Sequence, residues 1–129
     1  MVLPFFYWSN IMSNVFNDQA VFMLASGQTV GKYNPEQLYL YTELIKEESN
    51  EFFDSTEFTN TLKELADILV VTLGALQSTG VDPEEIWNEV VKSNMSKINP
   101  ETGLVNRRED GKILKGESYI APDFSKFAR

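Results

Sequence analysis

The 129-residue chain contains no cysteine and no histidine. Without cysteine there is neither a disulfide nor a thiolate nucleophile, and a reducing compartment, the cytoplasm, suits such a chain. Without histidine, the commonest general base and the usual ligand of zinc, iron and copper are missing. A metal held here must be held by oxygen, which selects Mg²⁺, Mn²⁺ or Ca²⁺. The glycine-rich Gly-Lys-Ser/Thr loop of the P-loop enzymes is also absent, which argues against that way of binding phosphate. The apolar leader from Met1 to Ile11, with Phe5, Phe6, Tyr7 and Trp8, has no basic n-region and is too short to span a bilayer. Met12 offers an alternative start, and the leader is expected to pack against the rest of the chain; no membrane is expected as a partner.

What is present is acid. A net charge of −8 argues against a nucleic-acid binder that works through overall positive charge. The charge is uneven: up to Val91 there are 14 acidic and 3 basic side chains, and from Lys92 onward 8 basic and 5 acidic. An acidic body of −11 with a basic tail of +3 suits a site for metal and polyphosphate; two solvated surfaces are the plainer reading.

Four helices are predicted. The first runs from about Asn14 to Ser26 and stops at Gly27. The second opens on Asn34-Pro35-Glu36-Gln37, with a capping Asn, Pro at the first helical position and Gln at the capping-box position, and continues to about Phe53. The third covers about Glu57 to Ser78 and ends at Gly80. The fourth opens on Asp82-Pro83-Glu84-Glu85 and continues to about Ile98. No strand alternation precedes Pro100. Residues 99–129 read as an irregular basic tail of turns and extended chain, with a turn at Asp110-Gly111. The expectation is a single all-α domain over 1–129, a four-helix bundle-like protomer that assembles through helix packing. The third helix, apolar nearly all round, is expected to bury more than one face in a homodimer or homotetramer, with Gly74 allowing a close crossing.

Periodicity places the acids. On the second helix Leu38, Tyr41, Ile45, Glu48 and Phe52 share one stripe, flanked by Leu40, Leu44, Glu47 and Glu51. On the third, Asn60, Glu64, Asp67, Val71 and Gly74 form a line, beside a row of Leu62, Leu65, Leu69, Leu73 and Leu76. Glu48 and Glu51 are three apart, as are Glu64 and Asp67, so each pair projects from one helix face. If the two helices form an antiparallel hairpin, four carboxylates converge among apolar neighbours, where uncompensated charge costs several kcal/mol per group. A divalent cation resolves that conflict and leaves positions for phosphate and water. The plainer alternative is a solvated acidic face. A di-iron bundle wants Glu-x-x-His on two helices and fails for lack of histidine.

Glu47-Glu48-Ser49-Asn50-Glu51, twelve residues, then Glu64-Leu65-Ala66-Asp67 resembles the signature of the MazG-type all-α NTP pyrophosphohydrolases. Lys92-Ser93-Asn94-Met95-Ser96-Lys97 and Asp110-Gly111-Lys112-Ile113-Leu114-Lys115-Gly116 resemble the end of its phosphoribosyl-ATP pyrophosphohydrolase-like branch. The resemblance spans about Pro35 to Phe124. It implies that Glu48, Glu51, Glu64 and Asp67 bind Mg²⁺ (Mn²⁺ being the alternative), that Glu47 orients or deprotonates the attacking water, and that Asn94 and Lys97 face a nucleoside triphosphate. Lys112 and Lys115, beyond a turn and beside Gly116, are expected to reach phosphate as well. Tyr33, Tyr41, Phe52, Trp87 and Tyr119 offer rings for stacking on a base, although core packing is the commoner use of such rings. The competing function is a non-catalytic helical nucleotide-binding or regulatory protein that retains the metal site.

Overall fold

Helix starts fall where the capping residues stand. In the computed structural model, which describes residues 14–129, α1 (Val15–Ala25), α2 (Pro35–Asp54), α3 (Phe58–Ser78) and α4 (Pro83–Met95) are followed by a 3₁₀ turn, Ser125–Phe127. The leader, and the expectation that it packs, lie outside the described residues. Asn14 Oδ1 accepts the N–H groups of Phe16 and Asn17 at 2.9 and 3.2 Å, and Asn34 Oδ1 accepts that of Gln37 at 3.1 Å. Among the described residues there are two isolated β-bridges and no strand, so the fold is all-α.

The described residues divide into two compact units, one up to Pro83 and one from Glu84 onward. In the first, α2 and α3 form an antiparallel hairpin. At one end the Asn34 N–H donates to the Ser78 carbonyl at 2.9 Å. At the other, Ser55 Oγ donates to the Phe52 carbonyl at 2.7 Å and lies 3.1 Å from Thr61 Oγ1, tying the tight turn between the helices. Met23, Tyr41 and Val71 form the core, with Val30, Leu44, Ile45 and Ala75 packed against it. Gly74 is buried because the Tyr41 ring lies where its Cβ would be. The close approach expected of Gly74 is therefore made inside the protomer, to a side chain of α2. Gly80 closes α3 at φ +80°, and a Cβ there would stand 2.6 Å from the Tyr33 nitrogen.

Gln37 departs from the capping-box expectation. Its side chain turns away from the Asn34 N–H and pairs with the loop between α1 and α2. Oε1 accepts the Thr29 N–H and Nε2 donates to the Thr29 carbonyl, both at 2.8 Å, and Nε2 also lies 2.8 Å from the fully buried Ser78 hydroxyl. One buried amide thus satisfies both backbone groups of the half-buried Thr29.

In the second unit, α4 ends at Met95 and not at Ile98. Residues 97 and 98 continue in tight i→i+3 bonds, Lys97 N–H to the Asn94 carbonyl and Ile98 N–H to the Met95 carbonyl, both at 3.1 Å. The tail then makes two turns, closed by the bridges Ile98–Val105 and Arg107–Ile113, the second at the expected Asp110-Gly111. It runs back along α4. Ile120 N–H donates to Ser96 Oγ at 2.8 Å, and Asp123 N–H donates to Glu89 Oε1 at 2.8 Å. Lys126 Nζ donates to Glu89 Oε2 at 2.7 Å. Glu89 is only 7% exposed, and both of its oxygens are taken up in pinning the tail.

Candidate metal centre

The α2 stripe that buries Tyr41 reaches Glu48 two turns later, and the α3 line that buries Val71 reaches Glu64 two turns earlier. In an antiparallel hairpin these two steps run toward the same end. One oxygen each from Glu48, Glu51 and Glu64 lies within 4.8 Å of the others. Glu64 is buried at 9% exposure, Glu48 is half-buried and Glu51 is exposed, so the group has a dry floor and a wet rim. Asp67, one turn along α3 from Glu64, falls outside this trio and is held by Lys63, whose Nζ is 2.8 Å from Asp67 Oδ2 and 3.5 Å from Glu64 Oε1. Glu47 is exposed beside Glu48 on α2.

Electrostatics set these carboxylates against one another. Glu48 Oε2 and Glu64 Oε2 are enclosed and have no hydrogen-bond partner. A buried acceptor without a donor is a costly feature that native folds rarely keep without a reason. Burial, and after it the charges of Glu51 and Asp67, push the Glu48 carboxyl up to about 7. Hydrogen bonding to Asp67, followed by the charges of Asp67 and Glu64, raises the Lys63 ammonium. A divalent cation has the charge and the oxygen preference that these orphaned atoms call for, so the residues present fit Mg²⁺ or Mn²⁺.

The basic candidates all belong to the second unit. Lys97 Nζ donates to Asn94 Oδ1 at 3.1 Å, so the two side chains meet across the end of α4, although Lys97 lies just beyond the helix and not on its last turn. Lys112 is exposed on the second turn, and Lys115 lies 4.9 Å over the Tyr119 ring. Arg107 and Arg108 are used within the tail, on the Gly111 carbonyl at 3.0 Å and on Asp110 at 3.0 and 2.6 Å. Of the aromatic candidates, Tyr41 is core, Phe52 meets Phe53 in a tilted pair with centroids 5.3 Å apart, and Trp87 is exposed. A hollow of about 620 Å³ between the tail's turns, lined by residues including Asn99, Asn106, Gly116 and Ser118, takes in none of the candidate residues. Lys63 and Glu89 escaped the sequence reading. The Lys63–Asp67 spacing of four was a usable signal for the first. Nothing local announces that Glu89 finds its partners 34 and 37 residues away.

The Glu48 shift has a sign that can be measured. Its folded-state value near 7 stands above the ordinary 4.5, so the folded chain retains a proton that the unfolded chain has released. The associated stability is complete below pH 4.5 and is lost as pH rises through about 7. Thermal melts in EDTA should therefore show a midpoint that falls across this window. Glu48→Gln should flatten the fall, and saturating Mg²⁺ should restore stability most at the alkaline end, where protons no longer compete for the site.

Two comparisons bear on identity. No curated protein matches the chain. Residues 20–94 match the phosphoribosyl-ATP pyrophosphohydrolase family, a span that includes Glu47, all four candidate metal carboxylates and Asn94, and stops short of Lys97, Lys112 and Lys115. With that match over more than half its length, an all-α fold and three converging carboxylates, the chain belongs to the phosphoribosyl-ATP pyrophosphohydrolase family, within the MazG-like superfamily of all-α nucleotide pyrophosphohydrolases.

Proposed function

We propose that this chain is a Mg²⁺-dependent pyrophosphohydrolase, with Mn²⁺ as the alternative ion, that cuts a nucleoside or deoxynucleoside triphosphate into the monophosphate and pyrophosphate. The observation that carries the reading is the pair of enclosed, donorless oxygens on Glu48 and Glu64, two residues that each bring a carboxylate oxygen within 4.8 Å of the other and of Glu51. Glu48, Glu51 and Glu64 would hold the ion, with Asp67 joining them. Bound there, it would supply Lewis acidity toward phosphate oxygens and lower the pKa of water.

The chain's own residues supply the rest. Glu47, exposed beside the trio, takes the proton as water oxygen attacks the α-phosphorus. The α–β bridging bond breaks and its electron pair leaves with pyrophosphate. Lys97 and Asn94, already in contact, present a cation and an amide to the phosphates, and Lys112 and Lys115 add positive charge from the tail. With no histidine in the chain, a carboxylate is the resident base. The whole of 1–129 then acts as one nucleotide pyrophosphohydrolase domain.

The same reading includes assembly. Leu62, Leu65 and Leu69 lie along one face of α3 at 52, 46 and 51% exposure, an apolar row of the kind that marks a helix-on-helix interface. Among the described residues no single helix is long and apolar enough to cross a membrane. A second copy is the occupant we propose for this row, as a homodimer or homotetramer.

Two measurements test these statements. Pyrophosphate release from a panel of NTPs and dNTPs should require Mg²⁺ or Mn²⁺ and stop in excess EDTA. Glu48→Gln and Asp67→Asn should each lower kcat about a hundredfold or more while remaining folded. Lys97→Ala should lower kcat/KM tenfold or more, as expected for losing ~1.5–3 kcal/mol of charged hydrogen bonding, with little change in Tm. Undiminished turnover in EDTA contradicts the mechanism, and nucleotide binding without turnover would favour the non-catalytic alternative. Light scattering at low micromolar concentration should give a dimeric or tetrameric mass; a fully active monomer contradicts the assembly.

A further inference from the structure

Among the described residues, Lys63 is the one cation ion-paired to this carboxylate group. Its Nζ lies 2.8 Å from Asp67 Oδ2 and 3.5 Å from Glu64 Oε1, and its side chain remains 64% exposed. Three facts stand together around it. Asp67 is three residues from Glu64 on the same helix, and yet it is outside the trio whose oxygens approach within 4.8 Å. Lys63 holds that carboxylate by its closest contact. The two enclosed oxygens, on Glu48 and Glu64, still have no donor, so the ammonium serves the rim and leaves the floor uncompensated.

We propose that Lys63 is an internal counter-cation that holds Asp67 apart from the other carboxylates until a divalent cation enters, and that it thereby sets the affinity of the metal site. This inference rests on the metal reading above. A monocation on a flexible four-carbon stem neutralises Asp67 and part of Glu64 without closing the site. A divalent cation at the same carboxylates doubles the Coulomb attraction, and it reaches oxygens that Lys63 does not. The exchange is easy on the lysine side. An exposed i, i+4 pair is held weakly, and the ammonium regains water as it leaves. Asp67, at 37% side-chain exposure, is free to follow the incoming charge. Metal binding then includes the breaking of one ion pair, and its apparent affinity is lowered by that competition. Salt should narrow the penalty, because it screens the exposed pair more than it screens the buried floor.

The plain alternative is that Lys63 repels the metal only through its charge, with no competition for Asp67. A double-mutant cycle separates the two. The full chain, stripped of metal and without nucleotide, is titrated calorimetrically with MgCl₂ and separately with MnCl₂, as wild type, Lys63→Met, Asp67→Asn and the double variant. Lys63→Met should tighten Mg²⁺ binding about fivefold at low salt, the upper end of what a surface pair is worth. The same variant should melt lower than wild type in EDTA, because Asp67 and Glu64 have lost their counter-charge. In the Asp67→Asn background, Lys63→Met should change Mg²⁺ affinity less than about twofold. Lys63→Gln serves in the same cycle if the methionine variant does not fold. An equal gain in both backgrounds overturns the proposal in favour of simple charge repulsion, and so does a gain below about twofold in the wild-type background. Wild type that takes up neither Mg²⁺ nor Mn²⁺ would remove the metal reading itself, an outcome distinct from either of these.

Discussion

Like charges crowded at the end of a helix hairpin are the constraint on which this molecule turns. Glu48, Glu51 and Glu64 cannot all be ionised, enclosed and unpartnered without cost, and the chain responds in two visible ways. It raises the affinity of Glu48 for a proton, and it brings Lys63 to the rim. Lys63 does not reach the two orphaned oxygens, since its contact on Glu64 is with Oε1. Stability has been left unclaimed at one place in the fold, as is usual where a site must be ready for a ligand.

The hairpin is built so that this crowding cannot relax by sliding. Tyr41 is seated on Gly74, where no side chain other than hydrogen would fit. Gln37 ties the far end to Ser78 and to the Thr29 backbone. Ser55 ties the near end. Register between α2 and α3 is therefore fixed at both ends and in the middle, and the facing positions of Glu48 and Glu64 follow from it. The core that does this is small: among the described residues only Met23, Tyr41, Val71 and Leu73 are buried hydrophobics. The leucines left outside on α3 are consistent with further burial between copies.

Much of this was legible in the sequence because it is periodic or local. Asn34-Pro35 marked the start of α2, and the three- and four-residue spacing put Glu48 on the stripe of Tyr41 and Glu64 on the line of Val71. The absence of histidine limited any bound metal to oxygen ligands before any geometry was known. Contacts between distant residues were not legible. Gln37 carried a capping-box signature and instead bonds a loop and the end of α3, because a buried Ser78 and an unsatisfied Thr29 backbone outbid the local cap. Gly74 was assigned to a crossing between copies and serves Tyr41. Helix α4 was read to Ile98 and gives way after Met95 to a turn that brings Lys97 onto Asn94. Glu89 lies on the buried side of α4, where the chain that uses it arrives more than thirty residues later. Spacing and resemblance group Asp67 with three other carboxylates, and the same helical spacing of four puts Lys63, which holds it, within reach.

The central claim is that Glu48, Glu51 and Glu64 bind a divalent cation at the hairpin end. Anomalous diffraction at the manganese edge, from crystals grown with MnCl₂, tests it most directly. A Mn²⁺ peak is expected within about 2.0–2.4 Å of carboxylate oxygens from these three residues, near the bonding distances of hard cations to oxygen. A well-diffracting crystal with no peak there, or with manganese bound only at other carboxylates, would contradict it.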